Sequence, residues 1–219
     1  METSAFRKTV LFVVSFFLLW TLAWLLHNLL ANTIWPSLTL SHNQALIYWA
    51  IMKILVWILF PAIYVRSVFR PESSKQFLRL GNAKRGVAVG LIAGLVWIGL
   101  SYLLQGRDSF HLAASATVLW TITGTPIAEE FTFRGVILSG LQKAGIRFWP
   151  ANVITSVIFV LIHCLGWAFQ GALTANLNPM LVGSILLLSL TAGWLRQRSN
   201  SLYSSVILHA MNNLYSATD

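Results

Sequence analysis

Residues 9–26 read TVLFVVSFFLLWTLAWLL, an unbroken stretch without a charged side chain. A transmembrane helix needs about 20 mostly apolar residues, so this stretch is long enough to cross a bilayer. Arg7 and Lys8 precede it, as basic residues do in a signal peptide. The apolar run is nevertheless longer than that of a cleavable signal, and no clear cleavage site ends it. We therefore expect an uncleaved first membrane span.

Six further apolar segments follow, with short polar loops between them. Together they predict spans at about 9–30, 44–65, 86–104, 112–143, 151–169, 179–195 and 202–217. The fourth span contains Pro126, which favours either a kink or the first turn of a new helix with Thr125 as its cap. The predicted fold class is an all-α polytopic transmembrane helix bundle of about seven spans, a single integral membrane domain over residues 1–219.

The composition excludes several classes of protein. Hydrophobic residues make up 57% of the 219 residues and charged residues 10%. Soluble domains average about 45–50% apolar and about 25% charged residues, so the composition excludes a water-soluble domain. The net charge is +9, but no basic run is interleaved with stacking aromatic residues, so nucleic acid is not expected as a partner. The single cysteine, Cys164, cannot form an intrachain disulfide.

The basic residues alternate between successive loops. They cluster before the first span, at residues 66–85, at residues 143–147 and at residues 196–198, while the loops 35–43 and 170–178 contain none. The remaining loop has Arg107 next to Asp108. With seven spans, all basic clusters lie on one side of the membrane. The positive-inside rule then places the N-terminus in the cytoplasm and the C-terminus outside.

Charged side chains within a predicted span are informative, because such a group costs at least about 2.5–3.5 kcal/mol at a helix centre. Residues 126–135 read PIAEEFTFRG. Glu130 and Arg134 are spaced i, i+4, so they share a helix face and can pair. Glu129 points about 100° away, towards a different neighbour. Apolar sequence resumes directly afterwards, which favours a buried cluster over a loop at the membrane edge.

Two later spans also carry polar motifs. FVLIH at residues 159–163 places His163 in the fifth span, and HAMNN at residues 209–213 places His209 and Asn213 on one face of the seventh. Each motif alone fits a packed histidine or a polar pair that joins helices. With a rise of about 1.5 Å per residue, Glu129, His163 and His209 lie roughly 21, 20 and 12 Å from the cytoplasmic ends of their spans. The side chains can therefore meet, and such a set is typical of a hydrolytic site.

In this order, EExxxR, FxxxH and HxxxN resemble the motifs of the CAAX-protease and bacteriocin-processing (CPBP) family of intramembrane endopeptidases, also called the abortive-infection family. The resemblance covers about residues 112–217, and three motifs in order on predicted spans are far more specific than any one of them. It implies a catalytic helix core at residues 111–217. Residues 1–110 would form N-terminal spans, which vary in such families.

The resemblance also implies a reaction. Glu129 would activate the attacking water with assistance from His163, and His209 and Asn213 would stabilise the oxyanion of the tetrahedral intermediate. The implied function is an intramembrane endopeptidase that hydrolyses a peptide bond of a membrane-associated peptide or protein tail. The substrate would be processed at a CAAX-type tail or at a leader peptide, and the enzyme would be embedded in the lipid bilayer.

By the same resemblance, Glu130 and Arg134 would hold the site together. The family is often described as metalloproteases, and Glu129, His163 and His209 could supply a catalytic zinc site with an open position. The compact zinc motif HExxH is absent, and donors from separate helices fit either scheme. No cofactor is therefore certain, and zinc stays an alternative to the metal-free activation of water that we favour.

Two other functions stay open at this point. The protein could be a non-proteolytic immunity or scaffold protein with the same fold, or a transporter with Glu129, Glu130 and the histidines as a proton relay. A scaffold has no need of Glu129, and the sequence has no visible inverted repeat of the kind that transporters use. Lys53 lies near the middle of the second span. We expect it to pair or to snorkel rather than to line a substrate cavity.

Overall fold

The computed structural model describes residues 2–31, 42–105 and 115–217, and within these ranges the chain forms helices joined by short turns, without a strand. The prediction of an all-α fold is confirmed. Predictions that concern Arg107, Asp108, most of the loop 35–43 and the start of the fourth span at Leu112 lie outside the described residues.

The first half of the chain forms two long helices, a short one and a third long one. Helix α1 spans Glu2–Leu29. Helix α2 is a continuous run of four pieces, of which the second and fourth are π-helical: His42–Lys53, Ile54–Leu59, Phe60–Tyr64 and Val65–Phe69. The short helix α3 and the long helix α4 span Ser74–Phe77 and Ala83–Gln105.

The second half contains the helices on which the motifs lie. Helix α5 spans Ala116–Ile122. Helix α6 has three consecutive pieces, the middle one π-helical: Gly124–Glu130, Phe131–Ile137 and Leu138–Lys143. The remaining helices are α7 (Phe148–Phe169), α8 (Leu173–Asn176), α9 (Pro179–Ser199) and α10 (Leu202–Ser216).

The start of α6 differs from the expectation that Thr125 caps a helix beginning at Pro126. Helix α6 begins at Gly124, so Thr123 occupies the N-cap position and Thr125 lies inside the helix. The Thr123 hydroxyl donates a hydrogen bond to the Leu119 carbonyl, one turn back in α5. Pro126 therefore lies in the first turn of a new helix, where its missing N–H does not interrupt the hydrogen-bond ladder.

Five helical segments of the described chain are long and apolar enough to cross a membrane: Ser4–Leu29, Ala45–Phe69, Ala83–Leu104, Phe148–Phe169 and Pro179–Ser199. They correspond to the predicted first, second, third, fifth and sixth spans. The predicted fourth span is interrupted between α5 and α6, and the predicted seventh corresponds to α10, which has only 15 residues. Seven spans are consistent with this arrangement and stay a prediction.

The distribution of side chains is that of a protein in lipid. Large apolar side chains point outward along the long helices, and Leu104 at the end of α4 is 85% exposed. Charged side chains such as Glu130, Arg134 and Arg196 are instead fully buried. Water would strongly disfavour an apolar surface of this extent, whereas a bilayer covers it.

An aromatic cluster fixes α6 against the N-terminal helices. The Phe16 ring of α1 lies 4.8 Å from that of Trp57 in α2 and 6.0 Å from that of Phe133 in α6, and Phe133 lies 4.9 Å from Phe159 in α7 (centroid distances). The Thr132 hydroxyl donates a 2.6 Å hydrogen bond to the Trp57 carbonyl. Helices α2 and α6 are thus held in a fixed register next to the polar motif.

Helix α10 packs closely against α4 because α4 carries small residues on the facing side. A Cβ atom added at Gly90 would lie 2.7 Å from the Ile207 Cβ, and one added at Gly94 would overlap the Met211 side chain. Glycines spaced by four residues allow two helix backbones to approach in membrane proteins. This contact sets the position of the helix that carries His209 and Asn213.

Candidate active site

The ion pair expected from the i, i+4 spacing is present in α6. Arg134 Nη1 lies 2.8 Å from Glu130 Oε1, and both side chains are 1% exposed. Arg134 Nη2 donates to the carbonyl and the hydroxyl of Ser189 in α9, at 2.9 and 2.7 Å. The guanidinium also lies 4.7 Å from the centre of the Phe159 ring. Arg134 therefore connects three helices at the level of the motif.

His209 lies between the two adjacent carboxylates. Its Nδ1 donates to Glu130 Oε1 at 2.8 Å, and its Nε2 lies 3.8 Å from Glu129 Oε2. Because one carboxylate oxygen of Glu130 accepts from both Arg134 and His209, Glu130 fixes the orientation of the imidazole. Its Nε2 is thereby directed towards Glu129.

Glu129 faces a different neighbour from Glu130, as the helix geometry predicts. Its Oε1 forms an ion pair with Lys53 Nζ of α2 at 2.5 Å, and the residue is 5% exposed. The expected pairing of Lys53 is confirmed, but Lys53 also lines the cavities next to Glu129, which was not expected. In the sequence, the sign that Lys53 has a special role is its position in an apolar span. Its partner Glu129 could not be identified, because the register between α2 and α6 depends on tertiary packing.

His163 is held at the same place by its own helix. Its Nδ1 donates to the Phe159 carbonyl one turn earlier, at 2.7 Å, which leaves Nε2 for other partners. A cavity of about 210 Å³ is lined by residues that include Glu129, His163 and Lys53. The structure therefore brings the first two motifs together around one cavity, as the depths of the residues predict.

Asn213 lies one turn beyond His209 and has a different set of contacts. Its Nδ2 donates to the Thr121 carbonyl of α5 at 2.9 Å, and its Oδ1 accepts from Asn212 at 3.2 Å. Asn212 in turn accepts from Trp97 Nε1 of α4 at 3.0 Å. Asn213 thus fastens α10 to α5, and it is not among the residues that line the cavity at Glu129.

A second cavity of about 370 Å³ adjoins the first, and it also contacts Lys53. The two share four lining residues, Trp20, Trp24, Lys53 and Gln170. Trp49 and Trp120 add further aromatic surface to the second cavity. The N-terminal helices α1 and α2, which carry no motif, therefore build much of the wall of the site.

The side chains as placed do not form a metal-binding cluster. Across the described ranges, no group of three His, Cys, Asp or Glu residues is arranged to hold a metal ion. The Lys53 ammonium occupies one oxygen of Glu129, and His209 Nδ1 is bound to Glu130. The donor set predicted for zinc does not fit a metal ion in this arrangement of the described residues.

Comparison with known proteins gives a match for the second half of the chain. Residues 111–215 match the family model described as type II CAAX prenyl endopeptidase Rce1-like. Neither a curated protein nor a solved structure matches the chain. The matched segment contains all three motifs, and the recognition of a CPBP-type intramembrane protease from those motifs is confirmed. The match over residues 111–215 makes this segment similar to the Rce1-like type II CAAX prenyl endopeptidases and is consistent with a CPBP-family intramembrane protease.

Proposed function

We propose that this protein is an intramembrane endopeptidase that hydrolyses a peptide bond of a membrane-associated peptide or protein tail. The observation that carries the proposal is the position of Glu129. Its carboxylate is buried in the bundle, lines a cavity together with His163, and lies 3.8 Å from His209 Nε2. A carboxylate between two imidazoles at the wall of a cavity is suited to activating water.

In the proposed mechanism, Glu129 is the general base. Glu129 Oε2 accepts a proton from water as the water oxygen attacks the scissile carbonyl carbon. His163 assists by binding the same water through Nε2, because its Nδ1 is already bound to the Phe159 carbonyl. When the tetrahedral intermediate collapses, the C–N bond breaks and Glu129 returns the proton to the leaving amine.

His209 and Asn213 are the proposed oxyanion donors. His209 would donate through Nε2, while its Nδ1 is held by Glu130. Glu130 is in turn held by Arg134, which also donates to Ser189. One N–H of Asn213 Nδ2 is bound to the Thr121 carbonyl, so the second N–H of the same amide would be the donor to the oxyanion. Donors fixed in position before the reaction are effective because they need no reorganisation.

The similarity to the family and the lining of the cavity support the proposed substrate class. A CAAX-type tail or a leader peptide would bring an extended segment to Glu129 through the tryptophan-lined cavity, which offers apolar contact along its length. Apolar residues or a prenyl group near the cleavage site would bury their surface there. Membrane association of the substrate places the scissile bond within reach of a buried site.

The proposal is tested with purified protein in lipid nanodiscs and a panel of membrane peptides. The panel contains prenylated and unprenylated CAAX peptides and leader peptides, and products are identified by mass spectrometry with and without a chelator. We expect cleavage of at least one class, unaffected by the chelator, in a protein without stoichiometric zinc by elemental analysis. A folded protein that cleaves none of them would contradict the proposal and favour a scaffold or a transporter.

A further inference from the structure

Lys53 contacts the carboxylate that we propose as the general base. Its Nζ lies 2.5 Å from Glu129 Oε1 and 5.1 Å from the centre of the Trp57 ring. Its side chain is 14% exposed, and it lines both cavities of the site. A snorkelling lysine would direct its ammonium to the membrane surface instead. Lys53 is therefore part of the wall of the site.

The two oxygens of Glu129 have different surroundings. Oε1 is held by Lys53, while Oε2 faces His209 Nε2 at 3.8 Å. A water molecule that gives its proton to Oε2 therefore attacks next to the Lys53 ammonium. Arg134, a second cation close to the pair of carboxylates, donates to Glu130 and Ser189.

Negative charge moves during the proposed attack. Before it, the charge is on Glu129; as Glu129 takes the water proton and the water oxygen bonds to the carbonyl carbon, the C=O electron pair moves to the carbonyl oxygen. Glu129 becomes neutral, and the new oxyanion lies beside it. An isolated charge in an apolar interior is strongly disfavoured, so a cation that can follow this movement lowers the barrier.

We propose that Lys53 is a further catalytic residue, whose ammonium pairs with Glu129 in the resting enzyme and with the oxyanion after the attack. The proposal rests on the proposed function, since it requires Glu129 to be the base. An ammonium has three donors on a flexible stem, so it can keep one partner while it gains another. When the C–N bond breaks and the proton leaves Glu129, the charge returns to the carboxylate and the original pair forms again.

The first experiment removes the positive charge of Lys53 with little change in the length of the side chain. Lys53→Met is compared with Lys143→Met, a matched loss of one positive charge at the exposed end of α6, where Lys143 contacts the Phe77 ring. We expect Lys53→Met to lower kcat by about 10²–10³-fold, as for the loss of one oxyanion donor. KM should change by less than about threefold, because the interaction forms only in the transition state. Lys143→Met should leave both constants unchanged.

The second experiment restores a positive charge at position 53 by chemical modification of a cysteine. In a Cys164→Ser background, Lys53→Cys is treated with 2-bromoethylamine, which rebuilds an ammonium at nearly the original distance, or with iodoacetamide, which adds a neutral group of similar size. Activity should return only with the ammonium. A residue that merely fills space would be replaced equally well by both adducts.

The outcomes separate this inference from the proposed function. If Lys53→Met fails to fold, Lys53→Gln takes its place, because it can still donate to Glu129 without a charge. A folded neutral variant with kcat within about threefold of wild type, or equal recovery with both reagents, would overturn the role of Lys53 alone. A folded wild-type protein that cleaves no membrane peptide would overturn the proposed function, and this inference with it.

Discussion

Two adjacent carboxylates have separate environments in this protein. Glu130 is bound by Arg134 and His209, while Glu129 lines a cavity and pairs with Lys53. The sequence predicts the Glu130–Arg134 pair because an i, i+4 contact depends only on one helix. It does not predict the pairing of Lys53 with Glu129, or the bond from Asn213 to Thr121, because those depend on how separate helices are rotated against each other.

Arg134→Ala should destabilise the fold far more than Asn213→Ala. Removing Arg134 leaves Glu130 buried without its cation, and the loss of one partner of a buried pair costs about 3–5 kcal/mol. Removing the Asn213 amide breaks the hydrogen bond to the Thr121 carbonyl, worth about 0.5–1.5 kcal/mol. Thermal unfolding in detergent compares the two variants. Equal yields and equal Tm values of the two variants would show that the Glu130–Arg134 ion pair does not stabilise the fold to this extent.

The proposed oxyanion donors predict a pattern in the kinetics. His209→Gln and Asn213→Ala should each lower kcat by about 10²–10³-fold, while the folded state survives. If the two act as a unit, the double variant should lose less than the product of the single losses. Single-turnover cleavage rates of the wild type, the two single variants and the double variant measure these losses. Full activity of Asn213→Ala would restrict its role to holding α10 against α5.

At the scale of helices, the apolar pattern predicts the long elements well. The predicted spans 151–169 and 179–195 correspond to Phe148–Phe169 and Pro179–Ser199, because burial in lipid requires a continuous apolar run. The π-helical pieces that follow Lys53 and Glu130 were not predicted. Their extra residue per turn has no signature in hydropathy, although such turns are frequent at functional sites.

The packing of α4 against α10 predicts a remote effect on activity. Gly90→Leu should displace α10, because the new side chain would overlap Ile207 and approach the Ser204 carbonyl. His209 would move with α10, so cleavage should fall by at least about tenfold; displacements of about 1 Å far from the chemistry can cost about 10²-fold. Gly99→Leu on the same helix is the control, since nothing lies within 4 Å of its Cβ position. Equal activity of both variants would contradict this prediction.

For the whole molecule, the structure and the family support an integral membrane protein, while the number and direction of its spans stay predictions. The same is true of the division into N-terminal spans over residues 1–110 and a catalytic core over residues 111–217. The structure adds that α1 and α2 contribute Trp20, Trp24 and Lys53 to the cavities. Replacing these helices should therefore alter substrate choice.

The basic loops predict the membrane orientation. With the N-terminus in the cytoplasm and seven spans, the C-terminus lies outside. A reporter that is active only in the cytoplasm, fused after Asp219, should give no signal, and one that is active only outside should give a strong signal. The reverse result would mean an even number of spans and would exclude the predicted topology.

The variant Glu129→Gln tests the proposed role of Glu129 in activating the attacking water. The amide keeps the shape and hydrogen-bonding capacity of the side chain but cannot take a proton. Cleavage by the purified variant, measured on the peptide that wild type cleaves best, should fall to background, while its Tm in detergent shows that it remains folded. A folded Glu129→Gln protein that cleaves at the wild-type rate would contradict this account.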